Sequence, residues 1–301
     1  MRILIGVDGS SQGLNGARLV ATLPLSPSDE VIVASAVDRP ALLGAWGYVP
    51  IDLTGRLYDE AWNAAQTNAR EATEEAASVL TVLPCSVRQM VREGHPVAIL
   101  PTIVKELDAD LLVVGPHGLG RIDSILLGSV SQSLLQSMPT SILVSREPIR
   151  VPERILLAFD GSPHSLAAVR LLAKFPLPPE ARIDVLTSTG ARAARLAPSG
   201  AAELGDLDVL AEQHAAEVIS RALDVLRAAG RTATPQVRHG DPKHDILAAA
   251  HDLDSDLIVV GARGIGGFRG MILGSVSRAV SKAAPCSTLV AAHRAGAGRQ
   301  A

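Results

Sequence analysis

The sequence predicts two tandem α/β domains, each an open sheet of parallel strands connected by helices, and three observations carry that expectation. The length of 301 residues suits two domains of ordinary size. Short runs rich in Val, Ile and Leu alternate with stretches of helical periodicity, the pattern of parallel strands joined by crossover helices. The same motifs also occur twice. Ile3-Leu4-Ile5-Gly6-Val7-Asp8-Gly9-Ser10 returns 152 residues later as Ile155-Leu156-Leu157-Ala158-Phe159-Asp160-Gly161-Ser162. Val91-Arg92-Glu93-Gly94-His95-Pro96 returns as Val237-Arg238-His239-Gly240-Asp241-Pro242, an offset of 146. Asp110-Leu-Leu-Val-Val-Gly115 and Leu127-Gly128-Ser129-Val130-Ser131 return as Asp256-Leu-Ile-Val-Val-Gly261 and Leu273-Gly274-Ser275-Val276-Ser277, both also at 146. The change of offset gives the first copy six extra residues, which fall between Arg39 and Glu60.

In the first copy, Ile3-Leu4-Ile5 sets a strand over 2–8, and Asp8-Gly9-Ser10 stops it and heads a helix over 11–22. Strands follow over 31–37, 86–92, 110–115 and 141–145, alternating with helices over 60–82, 96–108 and 126–137. The second copy repeats the plan with strands over 154–160, 182–188, 235–239, 256–261 and 287–292. The joint is Arg146-Glu-Pro-Ile-Arg-Val-Pro152, whose two prolines and mixed charge suit an exposed linker. The expected domains are therefore 1–147 and 152–294, and 295–301 reads as a frayed tail.

Composition narrows the partners. A formal charge of −3 leaves no basic surplus for a row of phosphates, which argues against nucleic acid. The longest apolar runs fall far short of the roughly 20 residues that cross a bilayer. From Arg2 the chain runs through Ile3-Leu4-Ile5 straight to Asp8, with no apolar leader, so a cytoplasmic location is expected. Cys85 and Cys286 occupy different places in the two copies and read as reduced, buried thiols.

In an open parallel sheet, ligands sit beyond the carboxyl ends of the strands where the winding reverses. Two loops per copy are placed there: Asp8-Gly9-Ser10 or Asp160-Gly161-Ser162 after the first strand, and a glycine loop after the fourth. The glycine loop reads Gly115-Pro-His-Gly118, nine residues, Gly128-Ser129, and its twin Gly261-Ala-Arg-Gly264, nine residues, Gly274-Ser275. Glycines admit a ligand close to backbone amides, and a helix N-terminus adds partial positive charge, so Gly128-Ser129-Val130 suits a phosphate. Asp8 and Asp160 would repel that anion and suit ribose hydroxyls or an adenine-side donor. The bland alternative makes each Asp-Gly-Ser a helix cap and each glycine a turn residue. Recurrence of the nine-residue interval in both copies favours the ligand.

Gly-x2-Gly-x9-Gly-Ser after a Val-Val-Gly strand, with the leading Asp-Gly-Ser, the Val-x-x-Gly-x-Pro element and a terminal Pro-x-Ser-x-Leu-Val strand, resembles the ATP-binding class of universal stress proteins. The resemblance covers both halves. It implies five-stranded parallel sheets of order 3-2-1-4-5 with helices on both faces, and ATP between strands one and four; Mg2+ is expected to accompany the ATP. It further implies dimer-like packing through the last strand and stress-related regulation rather than a vigorous enzyme; a homodimer and a regulatory protein partner are expected. It places Asp8 and Asp160 near ribose and adenine. Gly115, Gly118, Gly128 and Ser129 would line the first phosphate site, and Gly261, Gly264, Gly274 and Ser275 the second, with main-chain contacts from Val130 and Val276. The end of strand two, at Ala36 and Ser188, would meet adenine. Two departures from the family pattern imply unequal sites: Pro116 has no N–H, and Thr187-Ser188-Thr189-Gly190 replaces the usual His-Val type of ending.

Other signals are weaker. Trp46, Tyr48, Tyr58 and Trp62 cluster around the insertion, as a satellite core, a lid or a partner surface, while the matching stretch Gly190–Leu204 is rich in Ala, Gly and Ser. Gly9-Ser10-Ser11-Gln12-Gly13 matches a nucleophile elbow, but its twin breaks the pattern. No Gly-x4-Gly-Lys-Ser/Thr is present, and neither glycine loop fits the dinucleotide fingerprint. His244 and His251, seven residues apart, would share a helix face that solvation explains without a metal. Arg121, Arg263 and Arg269 lie in the phosphate loops. The rivals to ATP-dependent regulation are a nucleotide-free interaction protein of the same fold, and a nucleotide α-phosphate transferase.

Overall fold

A computed structural model of the chain describes residues 1–38, 51–118, 127–137, 140–189, 204–264 and 273–293. It divides into two compact units, one of Met1–Leu134 with Leu143–Ile149, the other of Leu135–Ile142 with Arg150–Ala301. The expected six-residue insertion with Trp46 and Tyr48, the Ala-rich stretch 190–203, Arg121, Arg269 and the tail fall outside the described residues, apart from the helical part of the insertion.

The first copy runs β1 (Arg2–Val7), α1 (Ser11–Ala21), β2 (Glu30–Val37), α2 (Ile51–Val79, closing in a 3-10 turn at Leu80–Val82), β3 (Ser86–Glu93), α3 (Pro96–Glu106), β4 (Leu111–Val114), α4 (Ser129–Ser137) and β5 (Ser141–Val144). The second runs β6 (Arg154–Ala158), α5 (Pro163–Lys174), β7 (Arg182–Ser188), α6 (Leu204–Ala228), β8 (Ala233–Arg238), α7 (Pro242–Asp252), β9 (Leu257–Gly261), α8 (Ser275–Ala283) and β10 (Ser287–Ala291). The strand order is β3-β2-β1-β4-β5 in one and β8-β7-β6-β9-β10 in the other, the 3-2-1-4-5 arrangement in both. Each is an α/β fold with a parallel sheet.

The order follows from burial. The inner strands are near-continuous apolar runs because helices cover both faces of a parallel sheet. Ile3, Leu4 and Ile5 of β1 are fully buried, as are Leu111, Leu112 and Val113 of β4. β1 pairs in parallel with β2 on one side, Ile3 opposite Val31, and with β4 on the other, Ile3 opposite Leu111. The winding therefore reverses between β1 and β4, and the crevice beyond their carboxyl ends is the switch point. β6 stands in the same way between β7 and β9.

The repeated Gly-x-Pro is a helix start. His95 and Asp241 are the N-caps of α3 and α7, each followed by proline in the first turn, where a missing N–H costs nothing. Both helices end alike, on left-handed Asp108 and Asp254 with φ of 46° and 45°. One helix differs from expectation: α2 begins at Ile51, not near residue 60. Asp52, Thr54 and Gly55 are poor helix formers, and their local signal hides the first two turns. No helix among the described residues is long and apolar enough to cross a membrane.

Candidate functional site

The turn after the first strand is built the same way in both copies. Gly9 and Gly161 have φ of +81° and +78°, left-handed conformations that glycine adopts without strain. Ser10 caps α1 by accepting the Gly13 N–H at 2.9 Å, and Ser162 caps α5 by accepting the Ser165 N–H at 3.1 Å. The aspartate braces the cap: Asp8 Oδ1 accepts from the Ser10 N–H at 3.0 Å and its hydroxyl at 2.6 Å, and Asp160 Oδ1 accepts the Ser162 N–H at 3.0 Å. The cap reading thus holds for the serines and the first glycines. The second carboxylate oxygen does something else. A Cβ built on Gly118 would strike Asp8 Oδ2, and one on Gly264 would lie 2.7 Å from Asp160 Oδ2. The aspartate side chain therefore sits directly against the glycine loop in each unit.

The other glycines of the loop divide by role. A Cβ on Gly115 would lie 2.5 Å from the Gln12 carbonyl oxygen, and one on Gly261 2.5 Å from the His164 carbonyl carbon. These two residues are glycine because the fourth strand ends against the first helical turn. The Gly128 N–H donates to the Pro116 carbonyl at 2.7 Å, and the Gly274 N–H to the Ala262 carbonyl at 2.7 Å. That bond withdraws the glycine amide from any ligand, which narrows the expected cradle to the amides of Ser129 and Val130, and of Ser275 and Val276. First-turn amides of a helix have no intrahelical acceptor, and the N-cap Gly274 offers no side chain to α8. Sequence reasoning passed over Ser131 and Ser277. Their hydroxyls donate to the carbonyls of Gly115 at 2.7 Å and Gly261 at 2.5 Å, tying helix to strand end. Their recurrence in the repeated Leu-Gly-Ser-Val-Ser was the available signal.

In the second unit these elements line an open cleft of about 110 Å³. Its lining combines apolar Phe159, Leu186, Pro242, Ile246 and Val260 with Asp160, Arg263 and the loop glycines Gly261 and Gly264. Arg263 Nε and His164 Nδ1 are buried and make no hydrogen bond among the described residues. Burial, then the charge of Arg263 and the neighbouring His293, push the His164 imidazole below its ordinary value, against the pull of Asp160. Its ring lies 5.4 Å from that of His293. The first copy has Gln12 and His117 at the places of His164 and Arg263, with Gln12 Oε1 and His117 Nδ1 3.0 Å apart.

Ala36 and Ser188 stand at the ends of β2 and β7, next to β1 and β6. Ala36 lies opposite Arg92 and Ser188 opposite Arg238, so they are structural equivalents. Ser188 lines the second cleft. His244 and His251 are exposed on α7. Among the described residues no group of three or more His, Cys, Asp or Glu is arranged to hold a metal ion.

Comparison with known proteins agrees with this architecture. A model of the universal stress protein family matches residues 1–146 and 152–292. A universal stress protein of Mycolicibacterium smegmatis is 28% identical over 316 residues, covering 97% of this chain and 97% of its own. A universal stress protein of Mycobacterium tuberculosis is 28% identical over 316 residues, covering 96% of each. The crystal structure of a universal stress protein from Archaeoglobus fulgidus shares the fold with a TM-score of 0.66 over 97% of this chain and 98% of that one, at 19% identity.

Proposed function

The chain belongs to the universal stress protein family, and from that premise we propose that it binds two ATP molecules, one in the switch-point crevice of each unit, as a nucleotide-dependent stress regulator. The observation that carries this is the duplicated apposition of an aspartate and a glycine loop beside a helix N-terminus. Phosphates suit the amides of Ser129 and Val130, or of Ser275 and Val276, where the helix end favours negative charge. Asp8 and Asp160, whose outer oxygens face the loop, suit the ribose hydroxyls, because a carboxylate accepts and does not donate. The apolar residues lining the second cleft, among them Phe159, Leu186 and Ile246, suit a base. Mg2+ would enter with the triphosphate, neutralising its charge there.

Regulation then rests on occupancy, read by a protein partner of a cytoplasmic homodimer, with little or no hydrolysis. None of the motif residues supplies the lysine clamp or the positioned general base that phosphoryl transfer uses. The test is the nucleotide content of freshly purified, boiled protein, followed by calorimetry. Two ATP per chain are expected, and none in the Gly118→Val, Gly264→Val double variant, whose added side chains meet Asp8 and Asp160 and spare the core. Absence of ATP binding would favour the docking-protein alternative, and turnover of tens per second would sink the regulator reading.

A further inference from the structure

The two clefts differ where the base would lie. Ser188 lines the second cleft beside Leu186, Pro242 and Ile246. Its hydroxyl stands 2.8 Å from the Gly240 carbonyl oxygen and 2.5 Å from Asp245 Oδ2. Asp245, near the start of α7, is only 6% exposed, and the same Oδ2 accepts the Gly240 N–H at 2.8 Å. A Cβ on Gly240 would come within 2.5 Å of Asp245 Oδ1, so glycine is what lets the carboxylate sit behind the serine. A serine has one O–H hydrogen, and both neighbours of this one are acceptors. That hydrogen is committed inside the protein, and what Ser188 offers the cleft is a lone pair. The first copy lacks this device: Ala36 replaces Ser188, and Ile99 takes the place of Asp245 at the 146-residue spacing.

We infer that Ser188, with its hydroxyl oriented by Asp245, selects the base in the second cleft as an acceptor for an exocyclic amine, and rejects a keto oxygen at the same place. The inference rests on the nucleotide reading above. An amine such as that of adenine completes the serine's hydrogen bonding. A keto oxygen sets lone pair against lone pair and leaves both groups without a donor, the situation in which polar sites discriminate most. Asp245 is a positioning residue: it acts on the ligand only through the hydroxyl that it holds.

The test compares ATP with ITP, which carries a keto oxygen in place of the amine, on the full-length protein. Amide hydrogen exchange in peptides covering β2 and β7 gives each cleft its own affinity. The β7 peptides are expected to be protected by ATP at concentrations about tenfold below those of ITP, with a smaller ratio at β2. Ser188→Val should bring the β7 ratio close to one without moving β2, and Ser188→Thr, with nearly the same shape and the hydroxyl restored, should keep it. Asp245→Ala should narrow the ratio with ATP still bound; a merely structural Asp245 would weaken both nucleotides equally. A β7 ratio that survives Ser188→Val overturns the inference while nucleotide binding stands. Failure of ATP to protect either peptide in the unaltered protein overturns the nucleotide reading and this inference with it.

Discussion

Gly261 and Gly264 sit three residues apart in one loop, yet a methyl group added to each meets different atoms. At Gly261 it meets backbone, the carbonyl of His164 and the nitrogen of Ser165, at 2.5 to 2.7 Å, and neither can move aside. At Gly264 it meets only a carboxylate oxygen at the end of the Asp160 side chain. Gly261→Ala should therefore cost about 1–3 kcal/mol of stability in urea unfolding. Gly264→Ala should leave stability within about 0.5 kcal/mol and weaken ATP at the second cleft. Equal destabilisation by the two would contradict this division. His164 makes a pH prediction. Burial and the Arg263 charge hold its folded value below the ordinary 6.5, so the unfolded chain binds the proton more readily. The stability due to the neutral imidazole is complete above about pH 6.5 and drains as the pH falls below it. His164→Gln, which installs the residue found at position 12 of the first copy, should flatten the fall in melting temperature between pH 7 and pH 5. An unchanged slope would show that His164 does not set it.

At the scale of elements, α4 and α8 are the parts that must be held still, because their first turns carry the proposed phosphate amides. Ser131 and Ser277 fasten them to Gly115 and Gly261. Ser277→Ala leaves a buried carbonyl short of a donor and should cost about 1 kcal/mol, read as a lower denaturation midpoint, together with weaker ATP binding. Unchanged midpoint and affinity would mean that the helix needs no such tie. Strand positions were legible in the sequence to within a residue or two, since apolar runs bounded by Asp, Gly and Pro are local signals. The start of α2 was not, because Gly55 and its polar neighbours argue locally for a loop. Ser131 and Ser277 were in plain view within a repeated motif but looked like ordinary helix residues. Asp245 left no trace, because its counterpart is Ile99 and nothing recurs to mark it.

For the whole molecule, duplication gives two crevices of one plan with unlike walls. Ligand at about 100 times its dissociation constant stabilises the state that binds it by about 2.7 kcal/mol. ATP should therefore raise the melting temperature of the intact chain, and the Gly118→Val, Gly264→Val double variant should show no such rise. A rise that persists in the double variant would place the nucleotide elsewhere. Titration should resolve two affinities, since Pro116, Ala36 and Gln12 stand where the second unit has Ala262, Ser188 and His164.

The sequence by itself determined the duplication, the order of strands and helices and the loops at the switch point, because periodicity, capping and turn chemistry act between residues a few positions apart. Tertiary structure alone decided which glycine serves packing and which faces an aspartate, which amide is already bonded, and which carboxylate stands behind Ser188. Those depend on approaches between groups some 50 to 110 positions apart, such as Gly261 with His164, Gly118 with Asp8 and Ser188 with Asp245. No local pattern encodes a distance across the fold.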